Sequence, residues 1–114
     1  MQLFISGIGG AGLGPLAEIA LDAGISVVGS DAKKSLQTDE LEKRGVQISY
    51  QQTRQAIAMV HAKTPIDWFV YTSALPDDAP ELEFARENRI RVSKRDDFLA
   101  ELIHKKNQKL IAVA

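Results

Sequence analysis

Cysteine is absent from this sequence, which removes disulfide staples, thiolate metal ligands and a cysteine nucleophile together, and fits a reducing compartment. Charge of one sign is lacking too: 14 lysines and arginines stand against 15 acidic residues, for a net charge of -1. With neither a basic patch nor a charged block, the chain has no electrostatic footprint for nucleic acid or a membrane surface. No apolar run is long enough to span a membrane, and no basic segment precedes an apolar stretch as in a signal peptide. The expected location is the cytoplasm. The two histidines, His61 and His104, fall near the ends of helical stretches, where a partly positive ring is mildly favoured. Neither belongs to a metal-ligand or catalytic spacing, and no HExxH or phosphate-loop lysine motif occurs.

What the chain has is a concentration of glycine in one place. Residues 7–14 read GIGGAGLG, directly after the apolar run Leu3-Phe4-Ile5 and directly before a stretch in which Leu13, Leu16, Ala17 and Ala20 recur at helical spacing. Gly7, Gly9 and Gly12 have the GxGxxG spacing. In a strand that turns sharply into a helix, the first glycine serves the turn, the second lets a phosphate approach the backbone, and the third allows close packing. Gly10 adds a fourth glycine that turn geometry alone does not require. The amides that open the helix carry about half a positive charge, which suits a diphosphate. Asp31 closes the next apolar run, near the separation of roughly 20 residues at which an acidic side chain meets a ribose. The plain alternative is a tight strand-to-helix turn with a loop aspartate.

At 114 residues the chain reads as one domain spanning residues 1–114, able to bury roughly two thirds of its unfolded surface. Strands are expected at 2–6, 25–28, 46–50, 66–71, 90–92 and 110–114. Helices are expected at 12–23, after a Ser35 cap with Leu36 and Leu41 inward, at 53–62, from an Asp78/Glu81 capping box, and from Asp96 and Asp97 with Phe98, Leu99, Leu102 and Ile103 buried. Pro15 and Pro80 fall in first helical turns, where a missing N–H costs nothing. The alternation predicts an α/β, Rossmann-like, doubly wound and mainly parallel sheet of five to six strands with helices on both faces. The sequence stops inside the sixth strand, which reads as a domain that continues into something longer.

In such a sheet the ligand lies beyond the carboxyl ends of the strands, where strand order reverses. Three loops reach that edge: 7–12, 30–33 and 72–76. The candidate binding residues are therefore Gly7, Gly9, Gly10, Ala11, Gly12, Ser30, Asp31, Ala32, Thr72, Ser73 and Ala74. Lys33 and Lys34 are available to neutralise phosphate, although surface lysines are usually only solvated, and Trp68 reads as core. The chain has a place to bind a nucleotide and no evident catalytic or metal residues to transform it.

The segments Gly7-Ile8-Gly9-Gly10-Ala11-Gly12, Gly29-Ser30-Asp31, Thr72-Ser73-Ala74 and Ile111-Ala112-Val113-Ala114, in that order, together resemble the amino-terminal domain of the Mur ligases. Asp78, Pro80-Glu81-Leu82 and the stretch Phe98 to Leu102 extend the resemblance over essentially the whole chain. It implies that this domain holds the UDP part of UDP-N-acetylmuramic acid, with the diphosphate against Gly9, Gly10 and Ala11 and the uridine near Asp31 and Ser73. It also implies that central and C-terminal domains lie outside this sequence, the central one carrying a phosphate loop for ATP and magnesium; no cofactor is expected in this stretch. The implied reaction of the parent is ATP-dependent amide formation, by way of an acyl phosphate attacked by the amino group of L-alanine. A sister ligase that attaches a recycled tripeptide also fits, though its glycine loop is typically less similar. The family often has Ser where Thr72 stands, a basic pair near Lys94 and Arg95, and Asn where Ala79 stands. The alternative from another class is an NAD-binding Rossmann domain of an oxidoreductase or of a regulatory nucleotide sensor, with Asp31 on the adenosine ribose.

Overall fold

The computed structural model describes residues 1–10, 12–102 and 104. It contains β1 (Gln2–Ser6), α1 (Gly14–Asp22), β2 (Ser26–Ser30), α2 (Leu36–Lys43), β3 (Gln47–Ser49), α3 (Arg54–Lys63), β4 (Trp68–Tyr71), α4 (Pro80–Glu87) and β5 (Arg91–Lys94), and then a helix over 95–102. The five strands form one sheet in the order β3-β2-β1-β4-β5, and every pairing is parallel. This is a Rossmann-like α/β fold. The sixth strand expected at 110–114, and Ile103, lie outside the described residues.

All five residues of β1 are buried, as a central strand covered on both faces requires. Alternation sends Leu3 and Ile5 to one face, where Leu13, Leu16, Ala17, Ala20, Leu41, Trp68, Val70 and Phe98 pack. Phe4 goes to the other, with Ile57, Phe69, Tyr71, Leu82, Phe84 and Ala85. The first core sits under α1, α2 and the 95–102 helix, the second under α3 and α4. Phe4 and Phe69 stack across the strand pair with centroids 5.6 Å apart. Trp68 meets Phe98 edge-on at 4.7 Å and donates its indole N–H to Ser93 Oγ at 2.9 Å, so it is a core residue.

Two local expectations are corrected. Leu36 is 84% exposed. It lies five residues before the buried Leu41, about 140° away around a helix of 3.6 residues per turn, so both cannot face the core. The inward partner of Leu41 is Thr38, which also closes the capping box with Ser35. Asp78 does not cap α4. Pro80 takes the first turn, Ala79 becomes the cap residue with no side-chain bond, and Glu81 turns inward to 1% exposure.

Candidate functional site

Strand order reverses beside β1, which has β2 on one side and β4 on the other. The carboxyl ends of these strands therefore define the crevice of a doubly wound sheet. Gly7 leaves β1 with φ +80°, a conformation that an L side chain rarely adopts. The amides of Gly7 and Ile8 both donate to Ser30 O, at 2.8 and 2.9 Å, which bonds the loop to the end of β2. Gly29 makes room for this return: a Cβ there would sit 2.6 Å from Ile5 O and 2.8 Å from Ile8 Cδ1.

Asp31 fastens the next part of the loop. Its Oδ2 accepts from the Gly9 amide at 2.7 Å and its Oδ1 from the Lys33 amide at 3.1 Å. Both oxygens thus serve main-chain donors, with lone pairs remaining on each. A Cβ on Gly9 would collide with Thr38 Cγ2 at 2.7 Å and Asp31 Oδ2 at 2.8 Å, so α2 and Asp31 already fill that side. Gly10 is exposed: its amide donates back to Gly7 O at 2.9 Å, and among the described residues a Cβ there would meet only that same oxygen, at 3.2 Å. On the far flank Arg95 Nε donates to Gly12 O at 2.9 Å, and its side chain occupies the space where Gly12 lacks a Cβ. Ala11 lies outside the described residues.

The helix caps differ according to position. Ser35 caps α2 and Thr53 caps α3 through side-chain oxygens, whereas α1 and α4, the helices that follow β1 and β4, have no side-chain cap. Of these four helices, the two without a side-chain cap are those that flank the reversal of strand order.

The third predicted loop reaches the same edge and is held by local bonds, with the Ala79 amide on Pro76 O at 3.0 Å, Arg86 Nη1 on Asp77 O at 3.2 Å and Leu75 packed against the second core. Thr72 O accepts from the Leu75 amide at 3.0 Å, and Ser73 and Ala74 are exposed. Ser30 is fully buried and Ala32 exposed. Lys34 is drawn away from the loop by Asp39 at 3.5 Å and Glu42 at 3.9 Å. His61 is structural: its Nδ1 accepts from the Ile66 amide at 3.0 Å.

Beneath the glycine loop lies a polar cluster that the sequence did not disclose. Ser6 Oγ donates to Glu81 Oε1 at 2.7 Å, and Gln52 Nε2 reaches the hydroxyls of Ser6 and Ser30 at 3.4 Å each. Glu81 Oε2 is buried with no hydrogen-bond partner among the described residues. Burial pushes the Glu81 carboxyl above its ordinary range, against the opposing pull of the Ser6 and Ser30 hydroxyls. An acidic residue at the second position of the helix after β4 was the available signal for it, and it reads equally well as a surface capping residue.

Among the described residues no group of three or more His, Asp or Glu side chains is placed to hold a metal ion. No helix of the described residues is long and apolar enough to cross a membrane. The arrangement is suited to holding an anion against a prebuilt backbone turn.

The model of the "Mur ligase family, catalytic domain" matches residues 4–107. A UDP-N-acetylmuramate–L-alanine ligase from Clostridium acetobutylicum is 40% identical over 108 residues, covering 93% of this chain and 22% of that protein. The structure of UDP-N-acetylmuramate-alanine ligase MurC from Thermotoga maritima superimposes with a TM-score of 0.79 at 26% identity, over 92% of this chain and 23% of that one. A UDP-N-acetylmuramate:L-alanyl-gamma-D-glutamyl-meso-diaminopimelate ligase from Neisseria gives 0.76 at 25% identity, over 88% and 30%. The chain thus spans less than a quarter of the length of the Clostridium relative.

Proposed function

Because this chain belongs to the Mur ligase family, we propose that it holds the UDP part of UDP-N-acetylmuramic acid for a parent UDP-N-acetylmuramate–L-alanine ligase of the bacterial cytoplasm. The observation that carries the reading is the state of the β1 loop. Gly7, Ile8 and Gly9 give their amides to Ser30 and Asp31, and Gly10, Leu13 and Gly14 give theirs to Gly7 O and Gly10 O, which fixes the loop, while Gly10 is exposed with no side chain and α1 begins without a capping side chain. A helix start with no capping side chain, fronted by an outward glycine, leaves room for a phosphate to approach the positive end of the helix dipole.

In this reading the diphosphate lies across Gly10, Ala11 and Gly12. The uridine extends over Asp31 and Ala32 on one side, with Thr72, Ser73 and Ala74 on the other, while Ser30, fully buried, supports the loop from beneath through its carbonyl. Asp31 acts first as the latch of the loop, and its remaining lone pairs are open to the nucleoside. The residues of this chain bind and orient the substrate. The acyl-phosphate chemistry, with its ATP and magnesium, is assigned to the remainder of the parent, as is the choice between L-alanine and a peptide.

Calorimetry against UDP-N-acetylmuramic acid, UDP and NAD tests the reading. Binding of both uridine nucleotides without measurable NAD binding is expected. Preference for NAD would replace this function with that of a dinucleotide-binding domain.

A further inference from the structure

Arg95 is carried to the glycine loop from the opposite end of the chain. It follows β5, an edge strand, and opens the 95–102 helix at the same sheet edge as Gly7 to Gly12. Three residues on, Phe98 is fully buried and packs against Trp68, which anchors the backbone that presents Arg95. The side chain lies flat on Gly12: its Nε, Cδ and Cζ stand 2.9, 3.1 and 3.5 Å from the place a Cβ would take. The Nε–H donates to Gly12 O, so the guanidinium is half-way into the loop rather than free in solvent.

Its outer edge is only weakly engaged. Nη1 donates to Asp96 Oδ1 at 2.8 Å, but the Asp96 side chain is 86% exposed, and a solvent-screened pair of this kind is worth about 0–1 kcal/mol. A guanidinium has five N–H donors; the other three make no hydrogen bond among the described residues. The local charge balance needs a cation here. Asp31 puts a carboxylate against Gly9, which repels a diphosphate, and Lys34 is turned toward Asp39 and Glu42.

We propose that Arg95 is a phosphate-binding residue, a clamp that keeps Nε on Gly12 O and turns its Nη groups onto the diphosphate, closing the loop from the side opposite Asp31. The planar fork suits two phosphate oxygens at once, which a lysine ammonium cannot reproduce. The inference rests on the reading given under Proposed function. It adds a residue to that site and gives Gly12 a reason: the glycine leaves room for the clamp.

The test is titration of UDP-N-acetylmuramic acid into the wild-type chain, Arg95→Gln, Arg95→Lys and Asp96→Asn, at low and moderate salt, with circular dichroism to check the fold. Arg95→Gln should weaken binding roughly 10- to 100-fold, the range of a charge-assisted hydrogen bond, and should flatten the salt dependence. Arg95→Lys should recover only part of the loss. Asp96→Asn, which removes the competing negative charge from beside Nη1 and leaves Arg95 in place, should bind as tightly as wild type or more tightly. This variant decides the matter if Arg95→Gln fails to fold: weaker binding by Asp96→Asn overturns the clamp. A folded Arg95→Gln chain with wild-type affinity and salt dependence overturns it as well, while leaving the UDP-sugar reading standing. Failure of the wild-type chain to bind overturns both.

Discussion

The loops after β1 and β4 leave the same edge of the sheet, on neighbouring strands, and are built in opposite ways. The first is tied by the amides of Gly7 and Ile8 to Ser30, by that of Gly9 to Asp31, and by Arg95 to Gly12. The second is held only locally among the described residues, by the Leu75 amide on Thr72 O, the Ala79 amide on Pro76 O and Arg86 Nη1 on Asp77 O, with Ser73 and Ala74 exposed. The contrast teaches where this domain has invested its order. The part assigned to the diphosphate is held before any ligand arrives, so little conformational freedom is lost on binding. Glu81 links the two loops, since it stands at the start of the helix that follows the second loop and accepts from Ser6, the last residue of β1 before the first.

The sharpest way to break the comparison is within the ordered loop. Gly9→Ala would press a methyl onto Thr38 and Asp31 and is expected to cost about 1–3 kcal/mol of stability in urea unfolding. Gly10→Ala, one residue away, meets only Gly7 O among the described residues. It should cost under about 1 kcal/mol of stability yet weaken UDP-sugar binding by roughly tenfold or more, because the methyl stands where the phosphate approaches. If the two variants behaved alike, the division between a held side and an open side would be lost.

Next in size is the hinge between the loops. Burial raises the Glu81 carboxyl, so the folded chain holds that proton more tightly than the unfolded one. This contribution to stability is fully present below the ordinary carboxylate pKa and is lost as pH rises through the raised value. Glu81→Gln keeps an acceptor for Ser6 and removes the titration. Urea melts across a pH series should show the variant more stable than wild type at neutral pH, with a flatter decline from acid. Lower stability at neutral pH would mean that the charge itself is needed. Glu81→Leu should cost about 1–3 kcal/mol, since it orphans the Ser6 hydroxyl.

The smallest effect belongs to the second loop. Ser73→Ala should leave stability within about 0.5 kcal/mol of wild type and reduce nucleoside binding by no more than a single neutral hydrogen bond, about 0.5–1.5 kcal/mol. A large loss of stability would show that this loop is held as firmly as the first.

Much of the fold was legible because local pattern and burial coincide. The bounds of β1 follow from its apolar run, and Ser35 and Gly45 bracket α2 as turn chemistry dictates. What escaped depends on contacts between distant residues. Pro80 in the first turn of α4 was legible, but that Glu81 turns inward and not to a capping role involves Ser6, 75 positions away. The glycines were legible as a fingerprint, but the reasons at Gly9 and Gly12 lie partly in Thr38, Asp31 and Arg95, and the last of these is 83 positions from its partner. Asp31 was visible as an acidic residue at the right separation, whereas its bonds to Gly9 and Lys33 depend on how tightly the turn closes.

The most direct test is an amide-resolved NMR titration of this chain with UDP-N-acetylmuramic acid. The account predicts that the largest and earliest shifts fall on Gly10, Gly12 and the Arg95 side chain, with smaller ones on Asp31, Thr72 and Ser73. Saturable binding whose shifts avoid residues 7–14 and settle elsewhere on the surface would contradict it.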